Sequence, residues 1–286
     1  MKKSIITLGL LASLLLNGPS LIAEENTTSA SVTASAITSA SAPAAVAANL
    51  SASSSIPLTN ALTALSSAAS ESRYMFLLVR DKQDDTTSAL KKVIETTLQK
   101  LSDKATSYEV DRNLPSEKEI IEQYDLNRAP MPLVLVVAPN GAITSGLTGD
   151  KATPEKLEAA IVSQGMTRLI KAMQDRKLVF LCVQNSNTKS NEAAMKGVND
   201  FKADPKFGKA VEIILLDPAD TKEEKLFSQL KIDTKSTEAV TTFIAPPGSK
   251  LGTFIGETNR EKIEAALMAA MSGGCGSGCA PSGCGN

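Results

Sequence analysis

Residues 124–161 read YDLNRAPMPLVLVVAPNGAITSGLTGDKATPEKLEAAI, and their pattern decides the fold. Residues 133–137 are nearly pure β-formers, so they predict a strand. Asn140-Gly141 is a hairpin turn signal, and residues 142–147 predict the returning strand. Thr153-Pro154-Glu155 opens a helix, with proline at a favoured first-turn position. Upstream, the continuous apolar run 74–79 predicts a strand buried on both faces. Residues 62–72 predict a short helix before it. Thr86 and Thr87 are N-cap candidates for a helix with apolar positions Leu90, Val93, Ile94, Leu98 and Leu101. Residues 107–110 predict a short strand. Ser116 with Glu119 predicts a capping box for a helix to Tyr124. The order is α-β-α-β-α-β-β-α.

Working outward, the same text recurs. Ala138-Pro-Asn-Gly141 faces Ala245-Pro-Pro-Gly248, and Gly149 faces Gly256. Glu155-Lys-Leu-Glu-Ala-Ala-Ile161 faces Glu261-Lys-Ile-Glu-Ala-Ala-Leu267. The strand at 74–79 faces the apolar run 178–183, preceded by a predicted helix at 166–175. In the second copy, helices are predicted at 191–201, 222–230 and 260–271, and strands at 211–216, 240–244 and 251–255. A period near 105 residues is a duplicated domain, longer than any solenoid unit of about 20–50 residues. The expected architecture is α/β, with a mixed sheet covered by helices on both faces in each copy. Domain bounds fall at 56–163 and 164–271.

The order and residues 124–161 resemble the thioredoxin family, over nearly the whole repeated body. The resemblance implies two thioredoxin-like domains, with Pro132 as the counterpart of the family's cis-proline and Pro130 as the other candidate. A trans proline opening a strand is the alternative for Pro132. The family's oxidoreductases carry Cys-x-x-Cys at the start of the helix after the first central strand, where the helix N-terminus favours a thiolate. Here copy one has Asp81-Lys-Gln-Asp-Asp-Thr-Thr87 and copy two Asn185-Ser-Asn-Thr-Lys-Ser190. Neither contains a cysteine, and Ala239 stands where copy one has Pro132. Dithiol exchange at the usual place is therefore not expected, because Asp and Thr form no mixed disulfide. Cys182, inside the predicted strand 178–183, reads as a small buried hydrophobe.

The ends carry the remaining signals. Lys2 and Lys3 precede the apolar stretch 5–16, a break at Asn17-Gly18-Pro19, and a small residue, Ala23, at the cut. This predicts a secretory signal peptide at 1–23 of bacterial type, so the chain is expected to be exported to the periplasm or beyond. The apolar stretch is too short for a membrane span. Residues 24–55 are Ala, Ser, Thr and Val with few charges, which predicts a disordered spacer. At the far end, 272–286 hold Cys275, Cys279 and Cys284 among Gly, Ser and Pro. Three thiolates there suit Cu(I) or another soft metal. They equally suit disulfide chemistry, in which two pair and one is left to join a partner. An end with no defined role is the third reading.

Composition narrows the classes of function. The chain has no His, which removes His triads, His zinc sites and His general bases. Its 30 basic residues balance 31 acidic ones, which argues against a nucleic-acid binder. With no Trp and seven Phe among 286 residues, aliphatic cores are expected. Glu117-Lys-Glu119 and Lys222-Glu-Glu-Lys225 read as solvated helix faces, and Asp217 and Asp220 as turn residues around Pro218. The resulting expectation is a non-catalytic exported binding or scaffold protein with a protein partner in the cell envelope. A thiol-disulfide oxidoreductase whose tail cysteines visit a groove near Pro132 is the alternative.

Overall fold

The computed structural model describes residues 60–272, which form two four-stranded mixed sheets. In the first domain, α1 (Ala61–Ser70) leads to β1 (Tyr74–Arg80), α2 (Asp85–Leu101) and β2 (Ala105–Asp111). Then come α3 (Lys118–Gln123), the hairpin β3 (Leu133–Val137) and β4 (Ile143–Thr148), and α4 (Pro154–Ala159). The strands lie in the order β2-β1-β3-β4. β1 runs parallel to β2 and antiparallel to β3, and β4 is antiparallel to β3.

The second domain repeats this with α5 (Gln164–Gln174), β5 (Leu178–Val183), α6 (Asn191–Lys202), β6 (Val211–Leu216), α7 (Glu224–Leu230), β7 (Val240–Ala245), β8 (Ser249–Ile255) and α8 (Arg260–Ser272). Its order is β6-β5-β7-β8, with the same directions. The register is copied too: Tyr74 pairs with Ala105 as Leu178 pairs with Val211.

The sheets form because their central strands are apolar on both faces. β1 is buried along its length except Arg80, and every residue of β3 is buried. One core of the first domain lies between its sheet and α1 with α3; the other lies under α2 and α4. Each fully buried Leu or Val here is worth about 1.5–3 kcal/mol relative to exposure. The aliphatic expectation holds in this domain, where Phe76 is the single core phenylalanine. It fails in the second domain. There Phe180, Phe201, Phe207 and Phe243 make a ring cluster between the sheet, α6 and α8. Six of the seven phenylalanines lie in that copy, so a low total count hid a local concentration.

Several local readings need correction. Asp84, not Thr86 or Thr87, caps α2: its carboxylate accepts from the Thr87 N–H at 2.8 Å. The Ser116–Glu119 capping box does not form. A 3-10 turn at Pro115–Glu117 precedes α3, whose start has no side-chain cap. Glu117 is not solvated: it is 3% exposed, as is Glu223 at the same place in the second copy. Both face inward because unpaired helix N–H groups await them. Glu117 accepts from the Ala61 N–H of α1 and the Tyr108 hydroxyl, each at 3.0 Å. Glu223 accepts from the Gly165 N–H of α5 at 2.7 Å and the Ser163 hydroxyl at 2.5 Å. A carboxylate at a helix start satisfies orphan donors and complements the helix dipole.

The two domains meet along α5. The Gln174 side chain donates to the Ile143 carbonyl at 2.8 Å and accepts from its N–H at 3.1 Å, so it pairs with the outer strand β4 as a neighbouring strand would. Ile170 packs on a core of each domain. The Tyr74 hydroxyl donates to the Val162 carbonyl at 2.8 Å and accepts from the Val162 N–H at 3.2 Å.

Candidate functional site

In each domain the first strand ends in a loop that starts a long helix, and this loop faces the turn before the third strand. In the first domain those loops are residues 81–84 and 126–132. Arg112, just past β2, ties them together. One of its terminal nitrogens donates to the carbonyls of Leu126, Asn127 and Ala129 at 3.1, 3.3 and 3.2 Å. The other donates to Asp81 at 2.5 Å. Asn113 adds a bond to the Asp81 carbonyl at 2.9 Å. The Met131–Pro132 peptide at the end of this strap is cis, and the Pro132 carbonyl accepts from the Gly149 N–H at 3.3 Å.

Beside the start of α2 lies a depression of about 400 Å³. Leu90, Val93 and Ala152 line it, with Asp85, Thr86 and Asp150 among the polar lining residues. The chemistry on offer is limited. The Thr87 hydroxyl is spent on the Lys82 carbonyl at 3.0 Å. The Thr87 N–H holds the Asp84 carboxyl below its ordinary range, so Asp84 acts as a helix cap. Arg80 pairs with Glu109 and with Asp111 at 2.9 Å, which keeps those charges on β1 and β2. No sulfur sits at this helix start.

The second domain closes the corresponding space with its own backbone. The Lys189 N–H donates to the Thr237 carbonyl at 2.8 Å, and the Ala239 N–H donates to the Lys189 carbonyl at 2.9 Å. The Ser190 hydroxyl adds a bond to Glu238 at 2.6 Å. Ala239 is the structural counterpart of Pro132: Gly256 donates to its carbonyl as Gly149 does to that of Pro132. A proline has no N–H to give, so the first domain cannot make this bridge. Copy one is therefore strapped by a side chain and copy two by main-chain pairing.

Cys182 faces the interior of β5, 1% exposed, with the Thr241 hydroxyl 4.0 Å from its sulfur. Burial pushes its thiol up to about 12. At pH 8 the thiolate is then a fraction of about one in ten thousand, against about a quarter for an ordinary thiol. Folded protein carrying Ser at the three tail cysteines is expected to resist iodoacetamide at pH 8, and to react fully in denaturant. Rapid labelling of the native protein would show that the strand opens easily.

Cys275, Cys279 and Cys284 lie outside the described residues, as do 1–23 and 24–55. Among the described residues no cluster of three His, Cys, Asp or Glu is placed to hold a metal, and no helix is long and apolar enough to cross a membrane. Asp217 and Asp220 turn the chain: each accepts from the N–H two residues on, at 2.9 Å. The Arg112 strap, the buried glutamates and Gln174 escaped the sequence reading. The available signal was positional, since Glu117 and Glu223 occupy the same place in both copies.

A mixed sheet with its first two strands parallel, a closing antiparallel hairpin and helices on both faces, present twice, makes this a tandem thioredoxin-fold protein. No family model matches the chain, and no curated protein does. Several solved structures are similar to it at low identity. The first two thioredoxin domains of Saccharomyces cerevisiae Eps1p are 10% identical, with 73% of this chain and 96% of that one covered and a TM-score of 0.28. The NTD_N/C domain of alkylhydroperoxide reductase AhpF from Enterococcus faecalis is 12% identical, covering 71% and 96%, at 0.25. Human ERp44 form II is 8% identical, covering 76% and 57%, at 0.34.

Proposed function

We propose that this chain is an exported, non-catalytic binding protein of tandem thioredoxin fold, whose sulfur chemistry is confined to its C-terminal cysteines. One observation carries the reading. Both helix starts that would hold a reactive dithiol lack cysteine: Asp84 to Thr87 carry carboxyl and hydroxyl groups in one domain, and Asn185 to Ser190 carry amide and hydroxyl groups and the Lys189 ammonium in the other. The one cysteine among the described residues, Cys182, is buried, and burial pushes its thiol up to about 12. The two strapped loop pairs then serve as rigid binding surfaces. Residues 1–23 direct export and 24–55 form a spacer, which places the partner in the cell envelope. Cys275, Cys279 and Cys284 hold a soft metal ion such as Cu(I) or a disulfide to that partner.

Reduction of insulin by dithiothreitol tests the reading directly. The mature protein is expected to leave the rate at that of buffer, with or without Ser at the three tail positions. Acceleration that disappears on those Cys→Ser changes would instead make the chain a thiol-disulfide oxidoreductase. N-terminal sequencing of the exported protein is expected to begin at Glu24; a retained Met1 would contradict the export step.

A further inference from the structure

The loops after β4 and β8 treat their neighbouring helices differently. In the second domain α6 lies so close to residues 258 and 259 that a Cβ at Gly197 would stand 2.3 Å from the Thr258 carbonyl oxygen. In the first domain the loop at 149–152 leaves the depression of about 400 Å³ beside α2, a volume within the range of ligand clefts. Small residues make the room: Ala89 on α2 and Gly149 and Ala152 on the loop all line it. Its floor is apolar, because Leu90 and Ala152 are buried and Val93 is half-buried. Its rim carries charge of one sign. Asp85 and Asp150 line it and are exposed. Neither joins an ion pair among the described residues. Asp84, the other carboxylate of this helix start, is spent on the Thr87 N–H. Lys82 and Lys151, the cations nearest in sequence, do not line the depression.

We propose that this depression receives a Lys or Arg side chain of a protein partner. The proposal rests on the reading of the chain as a binding protein, and it names the chemistry that one of its surfaces takes. A basic side chain matches both halves of the site. Its methylene stem covers Leu90, Val93 and Ala152, while its charged head stays at the wet rim and meets Asp85 and Asp150. Other occupants match one half or neither. An aliphatic side chain draws the two carboxylates toward an apolar contact without a counter-charge, which costs desolvation. An acidic side chain is repelled. A bare metal ion lacks ligands, since no third His, Cys, Asp or Glu stands with the two aspartates among the described residues. In the second domain the close approach of α6 to residues 258 and 259 fills the matching space.

The experiment is an NMR titration of the full chain, labelled with nitrogen-15, with the peptide acetyl-Gly-Lys-Gly-amide. The control peptide carries norleucine, which keeps the stem and lacks the charge. The lysine peptide is expected to shift the amide signals of residues 85–93 and 149–152 and to saturate. The norleucine peptide should bind about 3- to 10-fold more weakly, the range that two partly exposed ion pairs supply. Asp85→Asn/Asp150→Asn should weaken the lysine peptide by the same factor and leave the norleucine peptide unchanged. Added salt should likewise weaken only the lysine peptide. Ala89→Leu keeps both carboxylates and a good helix former but fills the depression, so it should abolish both titrations. Circular dichroism checks that each variant is folded. Equal affinity for the two peptides overturns the proposal, as does an Asn pair that binds lysine like the wild type. Undiminished binding by Ala89→Leu also overturns it, because surface charge alone then attracts the peptide. Shifts confined to the loops around Arg112 or Lys189 overturn the site while leaving the binding reading intact. No shift anywhere overturns the proposal too, and the non-catalytic reading is then judged separately by the rate of insulin reduction.

Discussion

Replacing Glu223 by Ala is expected to destabilise the second domain by about 2–4 kcal/mol, and Glu117→Ala to do the same to the first. Each carboxylate sits 3% exposed with both oxygens in use. Truncating Glu223 strands the Gly165 N–H and the Ser163 hydroxyl; truncating Glu117 strands the Ala61 N–H and the Tyr108 hydroxyl. A buried donor left without an acceptor costs about 1–3 kcal/mol, and two are lost in each case. The geometry is tight around Glu223: a side chain at Gly165 would place its Cβ 2.6 Å from the carboxylate, so only glycine lets the helix start approach so closely. Gln at either position keeps one acceptor but turns an amide N–H₂ toward a donor, so Glu→Gln should fall between wild type and Ala. Urea unfolding followed by circular dichroism measures the cost. If both Ala variants unfold at the wild-type midpoint, the glutamates are not what holds the helix starts.

These glutamates also show what the sequence could reveal. The central strands were legible because a strand buried on both faces must be apolar throughout, as 74–79 and 178–183 are. The hairpin was legible because Asn140-Gly141 carries its own turn chemistry; Gly141 sits at φ +78° and donates to the Ala138 carbonyl at 2.8 Å. The absence of a dithiol at both helix starts was plain for the same reason, since it depends on neighbours in the chain. Glu117 was not legible. Its surroundings, Pro-Ser-Glu-Lys-Glu, read as a solvated helix, and its real partner, Ala61, lies 56 residues away. Arg112 likewise bonds to carbonyls at 126–129 and to Asp81, groups that no local pattern connects. The closure of the second site hinged on one atom. Ala239 has an N–H where Pro132 has none, and the sequence showed the substitution without showing that Lys189 would accept from it.

The second large effect is expected at Phe201. This residue is fully buried; its ring meets Phe180 edge-on at 5.4 Å and Phe243 at 5.8 Å, and stacks on Phe207 at 5.2 Å. In the first domain α2 buries Thr87, Leu90, Ile94 and Thr97, and no aromatic ring. α6 also buries the small residues Ala194 and Gly197, and Phe180 stacks on Phe243 at 4.4 Å where the first domain pairs Phe76 with Val136. The second core is thus packed around large rings and small helix residues. Phe201→Ala should therefore cost about 3–5 kcal/mol, a large share of the 5–15 kcal/mol that holds a typical domain. Phe201→Leu, which keeps most of the volume, should cost much less. The chain has no Trp, and its three tyrosines, Tyr74, Tyr108 and Tyr124, all lie in the first domain. Tyrosine fluorescence thus reports that domain, while circular dichroism reports both. In Phe201→Ala the dichroism transition should move to lower urea and the fluorescence transition should move less, because the contacts across α5 are few beside those within each core. An unchanged dichroism midpoint would mean that the ring cluster carries no such share of the stability. Two transitions displaced equally would mean that Gln174, Ile170 and Tyr74 lock the domains into one cooperative unit.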